Sequence, residues 1–106
     1  VKIRLDECVP SPLRKLLAGH ECHTAQVMGW KSIKNGELLI LAEGKFDLFI
    51  TADQGLAYEQ NLRGRRIAIV ELSTNKLRAI EAAAAQLRDA VASTSGTEFR
   101  RLEIPP

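Results

Sequence analysis

The chain predicts an α/β fold: a three-layer domain with a mostly parallel sheet flanked by helices. Two observations carry this. Short apolar runs (Val1–Leu5, Leu48–Thr51, Ile67–Leu72) alternate with segments of helical spacing, the pattern of β-α-β crossovers. Leu48–Thr51 (LFIT) is also a short apolar, β-branched and aromatic run between charged or small residues, as befits a strand buried on both faces. Its end, Ala52-Asp53, is followed by the turn signal Gln54-Gly55, placing a carboxylate just beyond a strand's C-terminal end, where open α/β sheets hold their ligands.

In chain order, Val1–Leu5 alternates Ile3 and Leu5 with Lys2 and Arg4 and ends in Asp6-Glu7, a strand followed by acids. Pro10 stops it. Ser11 as cap and Pro12 at the first helical position start a short helix with Leu13, Leu16 and Leu17 as its apolar face and Gly19 as its end. Glu21–Gln26 reads as a second strand, with Cys22 and His23 on opposite faces. Met28-Gly29-Trp30 begins a loop, and Trp30 is expected to pack as a lid on the core.

Asn35 is placed to cap a helix from Gly36 to about Glu43, buried through Leu38, Leu39, Leu41 and Ala42, with Gly44 as breaker. After Leu48–Thr51, a short helix over about Leu56–Leu62 precedes the strand Ile67–Leu72. Asn75 is expected to cap the longest helix, Lys76–Ala92, whose apolar stripe is Leu77, Ile80, Ala84, Leu87 and Val91. Glu98–Ile104 reads as an edge strand closed by Pro105-Pro106. These elements predict right-handed crossovers and strand order 2-1-3-4 with a C-terminal edge strand, so that Asp6 and Asp53 stand at adjacent strand ends.

At 106 residues the chain is expected to be one domain, residues 1–106. Hydrophobic residues make up 45% and charged ones 26%, ordinary for a globular protein, and a net charge of +2 neither requires nor opposes a polyanionic partner. Two cysteines are too few for a disulfide framework, and no run approaches a membrane span or reads as a signal peptide. The expected compartment is therefore the cytoplasm, with no membrane partner.

Asp6, Glu37 and Asp53 form the candidate site. Glu37 falls in the first turn of the helix that feeds the Asp53 strand, and in a right-handed crossover that turn shares the sheet edge with the acids. Three carboxylates packed together repel unless a cation lies among them. Hard oxygen donors suit Mg²⁺ or Mn²⁺, and such a site can drive in-line phosphoryl displacement. Each acid also has an ordinary structural use: Asp6 in a turn, Glu37 on the helix dipole, Asp53 in an Asx-turn. Glu7 is a candidate for direct metal contact, for an outer position or for none.

The blocks LDECVP, MGW, KNGELL, FITAD and YEQNL, in this order from Lys2 to about Leu72, resemble the small bacterial PIN-like proteins described as predicted nuclease toxins of toxin–antitoxin systems. The resemblance implies a PIN-type fold, a metal-dependent ribonuclease site, an antitoxin partner from the neighbouring gene and pairing into homodimers. It assigns Asp6, Glu37 and Asp53 as the acids, and Thr51 as part of a T-x-D signature whose hydroxyl orients a ligand or water. Larger PIN domains carry a fourth acid; Glu59 is the nearest candidate here.

The expected chemistry is hydrolysis of RNA phosphodiesters by a metal-activated water, leaving 5′-phosphate and 3′-hydroxyl ends, with Lys31 and Lys34 steering the backbone phosphates. Arg63, Arg65 and Arg66 form a second basic group or a solvated surface. Two other classes stand beside this one. A phospho-receiver module would use Asp6-Glu7, Asp53, Thr74 and Lys76 but gives Glu37 no role. A catalytically silent PIN-like module would keep only its antitoxin or dimer contacts. A zinc site from Cys8, His20, Cys22 and His23 is opposed by its spacing. Ala82–Ala85 would let a second helix approach closely.

Overall fold

The computed structural model describes residues 2–6, 8–23, 46–52, 67–94 and 98–105. Within them the strands β1 (Lys2–Leu5), β2 (Glu21–His23), β3 (Leu48–Thr51), β4 (Ala68–Leu72) and β5 (Phe99–Leu102) form one parallel sheet in the order β2-β1-β3-β4-β5. The predicted α/β class, strand order and edge position of the last strand all hold. The apolar runs dictate this: every residue of β3 and of β4 is buried, as the interior of a parallel sheet requires.

One face of the sheet carries Ile3, Leu5, Leu48, Ile50, Ala68, Val70 and Leu72. It packs against Leu13 and Leu17 of the 3₁₀ helix Ser11–Leu17, and against Ile80 of α1 (Leu77–Ala82) with Leu87 and Val91 of α2 (Ala84–Ser93). Phe49, Ile67 and Ile69 are buried outside that cluster. Arg4 alternates with Ile3 and Leu5 as read, yet it too is fully buried, as in a parallel sheet covered on both faces.

The first helix differs from its expectation. Pro10, not Ser11, is the cap residue, no side chain caps the turn, and the helix is 3₁₀. Two prolines within three residues remove N–H donors, and Leu13 donates three back to the carbonyl of Pro10 at 3.0 Å. It still ends as read: Gly19 sits at φ +94°, a conformation that side chains resist.

The long helix starts one residue later than expected. Asn75 is exposed and Lys76 is the cap residue; its N–H donates to the Thr74 hydroxyl at 3.2 Å. Ala83 interrupts the helix with φ −103° and ψ 22°, its N–H shared between the carbonyls of Ala79 and Ile80. The buried stripe accordingly runs Ile80, Ala83, Leu87, Ala90 and Val91, with Ala83 in the place expected of Ala84. No helix among the described residues is long and apolar enough to cross a membrane. The helices expected at Gly36–Glu43 and Leu56–Leu62, and the second half of Glu21–Gln26, lie outside the described residues.

Candidate active site

Parallel pairing of β1 with β3 brings Leu5 opposite Ile50, and the ladder runs one step further: Asp6 donates its N–H to the Ile50 carbonyl at 2.9 Å. Asp6 therefore stands beside Thr51, the last residue of β3, at the C-terminal edge of the sheet. The Thr51 hydroxyl donates to Asp6 Oδ2 at 2.7 Å, across 45 residues of chain. Both are buried, Asp6 to 4% exposure and Thr51 to 0%. A carboxylate this far from water needs donors, and a hydroxyl at this distance is a strong, charge-assisted one.

Cys8 completes the described cluster. The turn after Asp6, closed by the Val9 N–H on the Asp6 carbonyl at 3.0 Å, folds the thiol back over the strand ends. Its Sγ lies 3.4 Å from Asp6 Oδ2, to which it donates, and 3.7 Å from Thr51 Oγ1, and it accepts the Ala52 N–H at 3.4 Å. Although Cys8 is an exposed residue overall, burial of its sulfur pushes the thiol pKa up, and the Asp6 charge pushes it further. The thiol is thus held protonated, as a donor to the carboxylate.

The polar row continues along the same face. Thr51 is in register with Glu71 of β4, and Glu71 with Arg101 of β5. Glu71 is 3% exposed, and its Oε2 accepts a hydrogen bond from Arg101 Nη1 at 3.2 Å. Arg101 also pairs with Glu103. Glu71 was absent from the expected site. Its signal in the sequence is a single charged residue inside the apolar run IAIVEL, at the position where β4 passes the end of β3.

Of the residues expected in the site, the structure joins Asp6 and Thr51; Glu37, Asp53, Lys31 and Lys34 lie outside the described residues, as do Glu7, Glu59, Trp30 and the three arginines at 63, 65 and 66. Asp53 follows Thr51 by two residues. Among the described residues no three His, Cys, Asp or Glu side chains gather to hold a metal. The residues named for zinc also part: Cys22 packs toward the apolar cluster, whereas His23 bonds Glu21 at 3.1 Å and meets the Phe46 ring edge-on at 5.4 Å. Asp6 and Thr51 do offer the hard oxygen donors that Mg²⁺ or Mn²⁺ takes. Comparison with protein-family models, with curated proteins and with solved structures gave no match.

Proposed function

We propose that this chain is a cytoplasmic, metal-dependent ribonuclease of the PIN-like type, the toxin of a toxin–antitoxin pair, hydrolysing RNA phosphodiester bonds. The observation that carries the reading is the buried Asp6–Thr51 pair at the C-terminal edge of a parallel sheet, with Asp53 two residues further along the chain. In this reading Asp6, Glu37 and Asp53 hold Mg²⁺ or Mn²⁺. The ion, when bound, supplies water activation and neutralises charge developing on the phosphate oxygens. Asp6 keeps a negative charge fixed at the edge, and Thr51 sets its orientation through the hydroxyl bond. Lys31 and Lys34 draw phosphates in, and an antitoxin protein restrains the enzyme.

Asp53→Asn and Asp6→Asn are expected to abolish Mn²⁺-dependent cleavage of single-stranded RNA while leaving the far-ultraviolet dichroism of the fold unchanged. Cleavage by either variant at the parent's rate would overturn the assignment.

One observation favours a second reading, the catalytically silent module: Asp6 Oδ2 already accepts from two donors of its own chain. Calorimetry separates them, since the silent module binds its protein partner normally and gives no heat with Mn²⁺. A phospho-receiver is less well supported. Thr74 and Lys76 share the connection after β4 and bond one another, whereas that chemistry needs them at two strand ends.

A further inference from the structure

A concave surface lies beside the helices, on residues other than the Asp6–Thr51 pair. Ser73, just after β4, ties down the tail that follows β5: its N–H donates to the Leu102 carbonyl at 3.1 Å, and its hydroxyl accepts the Ile104 N–H at 2.7 Å. With Ile104 buried in the apolar cluster, the tail is fixed beside the helices and Pro105 stands as a wall. The small side chains Ala79, Ala82 and Ala83, and Gln86, line the same surface. It is a groove of about 510 Å³, whose lining also includes Lys76 and Arg78. This is ample for one or two large apolar side chains. Among the described residues lining it, Lys76 and Arg78 are charged and none is acidic.

We propose that this groove docks an acidic peptide segment of a partner protein: an apolar side chain seated on the alanines, flanked by Asp or Glu facing Lys76 and Arg78. Charge complementarity selects the sign of the partner, and the apolar floor selects a peptide over a nucleic-acid backbone, which would leave that floor uncovered. The proposal is independent of the ribonuclease reading, because no residue of the groove belongs to the Asp6–Thr51 cluster.

The test is selection of a displayed random ten-residue peptide library on the intact chain, with counter-selection on Ala82→Trp. Ala82 is exposed, so the indole fills the groove without entering the core. The expected yield is peptides with acidic residues flanking an apolar one, binding at least tenfold more weakly to Ala82→Trp and to Arg78→Glu in fluorescence polarisation. Unchanged helix dichroism in both variants establishes that the fold is intact. Selection of basic or no consensus sequences, or equal binding to both variants, overturns the proposal. So does displacement of the peptide by an oligonucleotide of equal charge at lower concentration, which assigns the groove to nucleic acid. A self-association seen by light scattering and lost in Ala82→Trp assigns it to a second copy, with the same consequence.

Discussion

A hydroxyl that donates to a buried carboxylate at 2.7 Å carries more weight than its size suggests. Replacing Thr51 by valine keeps the shape and the β-branch but withdraws one of the donors to Asp6 Oδ2, and an under-satisfied buried charge costs about 1–3 kcal/mol. Urea titration of Thr51→Val is expected to show that loss, with serine recovering most of it. The neighbouring Cys8 has a pH signature of its own. Its folded-state pKa is raised above 9.0 by burial and then by Asp6, so below that value the thiol is protonated in both states and its contribution is complete. As pH climbs from there through the higher folded value, the unfolded chain gives up the proton first and stability is lost. The urea midpoint is therefore expected to fall above about pH 9, and Cys8→Ala to remove part of that fall. The rest persists through Cys22, which burial also raises. Asp6 was legible in the sequence because the apolar alternation of Val1–Leu5 stops there, whereas Thr51 entered the expected site only through the T-x-D resemblance and its bond to Asp6 was not foreseen. The burial of Arg4 and the place of Glu71 were not legible: Arg4 reads as the charged half of an alternation and Glu71 as one charge in a buried run, but a parallel sheet is covered on both faces, so both lie inside.

Elements were read best where their signal is local. Leu48–Thr51 is bounded as expected because its Leu-Phe-Ile run is apolar and β-branched Thr51 extends it to the strand end, and Gly19 ends its helix because only glycine accepts φ +94° cheaply. Helix starts were read less well. Ser11 and Asn75 have the chemistry of caps, but two prolines set the first turn and the Thr74 hydroxyl captures the Lys76 N–H at the second. A cap is decided by which of several adjacent polar residues the backbone reaches, and spacing alone does not contain that choice. Gly19 gives the clearest test at this scale. Among the described residues, and apart from its two chain neighbours, no atom lies within 4 Å of where a Cβ would be placed, so packing clashes with them contribute nothing. An alanine there meets a left-handed penalty of about 1–2 kcal/mol, partly offset by about 0.4–1 kcal/mol from a stiffer unfolded chain. A net loss of about 1 kcal/mol is expected, a fall in Tm of about 4–8 °C. At the far edge of the sheet, β5 sets Arg100 and Arg101 side by side. An antiparallel copy of this strand centred between them would oppose arginine to arginine, which protects the edge from self-pairing.

For the molecule as a whole, the sheet order does the assembling. Placing β1 between β2 and β3 brings Asp6 against a residue 45 positions away, a juxtaposition that exists only in the folded chain. Any divalent ion that uses this edge thereby binds the native state in preference to the unfolded one, where the same oxygens are scattered. Mass action then couples occupancy to stability: at a hundredfold excess over its dissociation constant, an ion stabilises by about 2.7 kcal/mol. Mn²⁺ is accordingly expected to raise Tm in a concentration-dependent way, and EDTA to restore the original value. Asp6→Asn is expected to abolish the rise while keeping a cooperative transition. Thr51→Ser, which retains the hydroxyl, is expected to preserve it. Calcium provides the control for mere charge screening, since an ion of equal charge acting only as a counterion shifts Tm of the parent and of Asp6→Asn alike. A Tm rise of the same size in the parent and in Asp6→Asn would place the ion elsewhere on the molecule. The buried carboxylate would then be a structural acceptor for Thr51 and Cys8, and the ribonuclease reading would lose its physical ground.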